Sequence, residues 1–184
     1  MNTETAIVVV VALLVIGAVV MFMWRQRRSQ NLRDRFGPEY DRTVGDRGSR
    51  SRAEAELHRR EKRVDRLPIR PLQPDQRVQY TRKWNEQQAR FVDEPSEAVV
   101  EADHLIEEVM RERGYPVTEF DQRAADVSVD HPRVVDNFRT AHEIAVRQER
   151  GEANTEDLRR AMICYRDLFR ELVEDEMVPV AVRR

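Results

Sequence analysis

The sequence predicts an all-α protein in three parts: an N-terminal transmembrane helix, a basic and partly helical linker, and a compact bundle of about four main helices. Three observations carry this. Ala6 to Trp24 is one unbroken apolar run, closed by Trp24 and followed at once by Arg25, Arg27 and Arg28. From Asp75 onward, apolar residues recur at spacings of three and four, the period of a helix with one buried face. Gly and Pro punctuate those segments at short intervals, as in a bundle with brief connections. The parts are a short tail over 1–5, a span over 6–24, a linker over 25–74, a bundle over 75–176 and a C-terminal tail over 177–184.

The apolar run holds 19 residues. At the rise of a helix that is roughly 28 Å, close to the hydrocarbon thickness of a bilayer. A cleaved signal peptide would want a basic leader, a shorter apolar stretch and a small-residue cleavage site, and none of these is present. Glu4 precedes the run and arginines follow it, so the positive-inside rule expects a single-pass protein of the bacterial inner membrane, N-terminus outside and C-terminal domain in the cytoplasm. A secreted domain released by cleavage is the alternative. Gly17 and Ala18 are adjacent small residues of the run, but no two small residues lie four apart to make a helix-dimer seam.

Net charge is −2 overall, and it conceals an asymmetry. Arg25 to Arg70 holds 15 Lys plus Arg against 8 Asp plus Glu, whereas Pro71 to Arg184 holds 17 against 25. The basic half adjoins the apolar run, an arrangement suited to anionic lipid, with Arg25, Arg27 and Arg28 as the contacting residues. Nucleic acid is not expected as a partner, because acidic residues are interleaved there and stacking aromatics are nearly absent. Cys164 is the single cysteine, which excludes an intramolecular disulfide and reads as a buried, inert thiol.

Taken in order, the helix begun by the apolar run continues to about Arg35, where Gly37-Pro38 interrupts it. A short segment follows, ending in a linker-like stretch from Gly45 to Ser49. Ser51 to Arg66 alternates Glu with Arg and reads as a solvated helix with a narrow Leu57 and Val64 stripe. Leu67 to Pro74 is too rich in proline to be helical and forms a stiff connector. Helices are then expected from about Asp75 to Phe91, with Tyr80, Trp84 and Phe91 in the core, and from Pro95 to a stop at Gly114-Tyr115-Pro116. A short helix opens at Thr118 with Asp121 and runs to about Val127. Val134, Val135, Phe138, Ala141, Ile144 and Ala145 face the core from the next, which Gly151 closes. The last, from Asn154 or Thr155, carries Leu158, Ala161, Tyr165, Leu168 and Leu172 in one seam that wants partner helices.

Chemistry is sparsely written. Glu101 and His104 have the Glu-x-x-His spacing of helical metal sites, but no second such motif exists, so they stand only as candidate ligands and no metal or cofactor is expected. A metal-binding bundle enzyme or sensor is the alternative reading that they motivate. Nucleophile elbows, phosphate-binding glycine loops and zinc-protease motifs are missing from the sequence. Arg123, Asp126, Asp130 and His131 crowd into one short unit. They read as a polar recognition surface or as caps and ion pairs fixing a helix corner, and the mechanism of caps favours the second.

Several strings, Arg70-Pro71-Leu72, Gln88 to Asp93, Arg113-Gly114-Tyr115-Pro116, Arg123 to Pro132 and Thr155 to Arg159, resemble those of an uncharacterised bacterial family of single-pass membrane or secreted proteins. The resemblance covers about Phe36 to Val173 and implies a bacterial envelope setting, with no activity attached. The function expected from all of this is a membrane-anchored helical interaction protein, an adaptor or scaffold with an unidentified protein partner.

Overall fold

The computed structural model describes residues 3–174, leaving aside the side chains of 3–12, 14 and 25. Among the described residues every regular element is a helix: α1 (Thr3–Phe36), α2 (Pro38–Arg47), α3 (Arg50–Val64), α4 (Pro74–Arg90), α5 (Pro95–Arg113), α6 (Phe120–Asp130), α7 (Val135–Glu149) and α8 (Thr155–Glu174). They divide into two compact units, one up to Leu57 and one from His58, so α3 belongs to both. The expected C-terminal tail, and the last two residues expected in the bundle, lie outside the described residues.

In the first unit, α1 runs until Gly37 takes a φ of +50° and Pro38 opens α2 in its first turn. Proline lacks the N–H that would be orphaned there, so the break costs the second helix nothing. Tyr40 then ties the unit together. It is buried, its hydroxyl donates to Glu54 Oε1 at 2.9 Å, and Ser29 Oγ lies 3.2 Å from the Tyr40 hydroxyl oxygen. Leu32, Phe36, Ala53 and Leu57 are buried with it. The stretch expected as linker is therefore mostly helix. α2 absorbs Gly45, and only Gly48 and Ser49 separate it from α3.

The expected membrane pass is corrected by the structure. Among the described residues no helix is long and apolar enough to cross a membrane. Side chains 6–12 and 14 of the apolar run lie outside the described residues. Beyond that run α1 continues through Arg27, Arg28, Arg33 and Arg35. The single-pass placement in a bacterial inner membrane, N-terminus outside, is withdrawn on this finding.

The second unit is a bundle in which α8 touches α4, α5 and α7, while α5 also packs on α4 and α7. The expected seam of α8 is buried throughout, from Leu158 to Leu172, against Val99, Ala102, Ile106 and Val109 of α5 and Phe138 and Ala141 of α7. Trp84 of α4 stacks on Phe169 with ring centroids 4.9 Å apart. Tyr80 and Phe91 are only partly buried against this core.

The proline-rich connector is held by the end of α5. Arg70 N–H donates to the Arg113 carbonyl at 2.9 Å. Gly114 ends α5 in the left-handed region, φ +95°, with its N–H on the Arg111 carbonyl and the Tyr115 N–H on that of Met110, the paired bonds of a Schellman cap. A Cβ at Gly114 would stand 2.5 Å from the Pro68 carbonyl oxygen, so glycine also lets the connector lie close.

Candidate functional site

The four polar residues singled out in the sequence all belong to α6 or its C-terminal cap, and that helix is deeply set. Arg123, Asp126 and His131 are 6%, 1% and 4% exposed, and Asp130 is half-buried. They point to four different partners. Arg123 Nη1 donates to Glu107 on α5, while its guanidinium carbon sits 5.8 Å from the centroid of the Phe120 ring. Asp126 Oδ1 accepts from Arg63 on α3, with Nε at 2.7 Å and Nη2 also in contact, and from Gln122 at 3.3 Å. Asp130 Oδ2 accepts from the Tyr115 hydroxyl at 3.1 Å, and His131 Nδ1 lies 3.5 Å from Glu171 Oε2 on α8.

The neighbouring groups extend this polar core. Ser128 Oγ donates to the Ala125 carbonyl at 2.7 Å and accepts from Arg60 Nη1 at 3.4 Å. Buried Tyr165 donates to Asp103 Oδ1 at 2.7 Å. Its burial, and the facing carboxylate, push the phenol far above its ordinary value. His142 stacks on Phe120 with centroids 3.6 Å apart, and burial lowers its pKa. Burial pushes the Asp126 carboxyl up, while Arg63, Gln122 and Arg60 pull it back toward the charged form. Its second oxygen, Oδ2, is buried and meets no hydrogen-bond donor.

Chemically, the charged groups here are directed at one another. Each charge is met by a countercharge or a hydrogen bond from another element, the condition under which buried ions are tolerated. The result is a brace: α6 fixes the second half of α3, α5, the turn after α5 and the end of α8 around itself. A recognition surface made of these four residues would need their polar atoms outside, and three of the four are buried.

Glu101 and His104 lie exposed on the outer face of α5. Among the described residues no group of three or more His, Cys, Asp or Glu side chains is placed to hold a metal ion. Arg27 and Arg28 are exposed, Arg28 lying over the Trp24 ring at 5.9 Å, and the Arg25 side chain lies outside the described residues.

Sequence reasoning did not single out Asp103 and Glu107, which meet Tyr165 and Arg123. It also missed Arg113, which is fully buried, donating from Nη1 to the Leu172 carbonyl at 2.8 Å. A basic residue in the last turn of α5 was visible; that it crosses to another helix was not. No family model, curated protein or solved structure matches the chain. The resemblance to the bacterial family therefore rests on its strings alone.

Proposed function

We propose that this chain is a helical interaction protein of adaptor or scaffold type, whose first helix contacts an anionic lipid surface. The observation that carries the reading is the surface of α1. Leu13, Val15, Ile16 and the residues from Val19 to Trp24 are between 49% and 68% exposed, and Arg27 and Arg28 follow them exposed on the same helix. Contiguous apolar surface of this kind marks an interaction site. Basic side chains beside it each add about 1 kcal/mol of attraction to an anionic leaflet, falling off within a Debye length. The buried Arg123 and Asp126, engaged in bracing α6 against its neighbours, support a scaffold more than a reaction centre.

Vesicle co-sedimentation of the full chain tests this. The chain is expected to pellet with vesicles containing phosphatidylglycerol at low salt, and Arg27→Glu with Arg28→Glu is expected to cut the bound fraction severalfold. Equal partition of wild type and the double variant would sink the lipid contact.

A further inference from the structure

The middle of α8, between exposed Glu156 and Glu174, departs from the charge of its surroundings. Pro71 to Arg184 holds 25 acidic residues against 17 basic, yet Arg159 to Arg170 carries four arginines and one carboxylate, Asp167. Arg159, Arg160 and Arg170 are exposed, Arg166 is half-buried, and partly buried Ile163 lies among them, one turn from both Arg159 and Arg166. Beside Ile163 opens a cavity of about 120 Å³ between α4 and α8, lined by Gln88, Phe91, Arg159, Met162, Ile163 and Arg166. Val92, next in the chain to Phe91, is 81% exposed. The groove thus offers an apolar floor with room for one side chain and a guanidinium at each end. Glu156, paired with Arg159, is exposed, and Asp167, paired with Arg166, is half-buried and also accepts from Asn137; a guanidinium carries five N–H donors, so each arginine can meet a second acceptor.

We infer that this groove docks an acidic amphipathic helix of a partner protein, with one aliphatic or aromatic anchor seated against Phe91, Met162 and Ile163 and carboxylates meeting Arg159 and Arg166. Apolar anchors in a pocket ringed by charge are the usual form of a helix-in-groove contact. A nucleic acid would use the arginines but leave the apolar floor uncovered. The inference rests on the interaction-protein reading above and names the chemistry of its partner.

The test uses the full chain and a dye-labelled synthetic helical peptide bearing one central leucine with glutamates one turn before and after it. Anisotropy is expected to report binding. Ile163→Asp, or Arg159→Glu with Arg166→Glu, is expected to weaken it tenfold or more, and a peptide with lysines in place of the glutamates is expected not to bind. The arginines are at the surface, so the double variant keeps the test valid even if Ile163→Asp disturbs folding. Equal binding by wild type and double variant, equal binding of the lysine peptide, or displacement of the peptide by a single-stranded oligonucleotide would each overturn the inference. Vesicle co-sedimentation of the same variants separates the two claims. Loss of peptide selectivity with lipid binding intact defeats this groove alone.

Discussion

The Arg113 guanidinium donates to the Leu172 carbonyl at 2.8 Å, joining the last turn of α5 to the last turn of α8. A buried guanidinium must find acceptors inside the protein, and this backbone carbonyl supplies one. The same side chain reaches back through Nε to the Arg70 carbonyl at 3.4 Å. One residue therefore closes the bundle and holds the proline-rich connector.

Arg113→Met keeps much of the volume and removes the donor. Loss of a charge-assisted hydrogen bond with a buried acceptor left behind predicts about 2–4 kcal/mol of destabilisation, read from urea unfolding. Arg113→Lys is expected to recover only part, since one ammonium cannot serve two separated carbonyls as a planar fork does.

Gly114→Ala combines a left-handed backbone with a Cβ only 2.5 Å from the Pro68 carbonyl oxygen. The conformational term alone is about 1–2 kcal/mol, and the clash adds to it. Amide exchange should show the connector losing protection first, at the Arg70 N–H that bonds Arg113.

Asp126 gives a pH signature whose sign is opposite to that of an ordinary salt-bridged aspartate. Burial raises its folded value above 3.8, so the native state binds the extra proton in the interval between 3.8 and that folded value. Stability contributed by this group therefore rises as pH falls through the folded value and levels off below 3.8. Subtracting the stability curve of Asp126→Asn from that of wild type should isolate this slope. Arg63→Met removes the facing cation and is expected to raise the carboxyl further, as read by NMR titration, while costing about 3–5 kcal/mol near neutral pH from a buried unpaired charge.

His104→Ala is expected to leave stability within about 0.5 kcal/mol, as an exposed position with no buried partner should. A larger loss in a urea titration would show that the outer face of α5 does more than meet water.

The parts of the fold legible in the sequence were those set by local chemistry. Pro at the first turn of α4 and α5, Gly114 at the end of α5, and the three-and-four spacing of α8 located those helices almost to the residue. The linker was harder. Its glycines at 45 and 48 look alike in the sequence, yet one lies within α2 and the other ends it. The brace around α6 was illegible because its bonds are long in sequence: Arg123 and Glu107 are 16 residues apart, and Arg63 and Asp126 are 63 apart. Glu107 sits at the edge of the acidic face of α5, and only the approach of α6 turns it into an internal partner.

Trp24 offers the most direct probe of the central claim, since it is 65% exposed at the junction of apolar and basic residues, whereas Trp84 is buried and stacked on Phe169. Tryptophan emission of the full chain should be recorded as phosphatidylglycerol vesicles are added at low salt. A blue shift that reverses with salt and disappears in the Arg27→Glu, Arg28→Glu variant is the predicted result. Emission that stays at its aqueous position at every lipid concentration would contradict it.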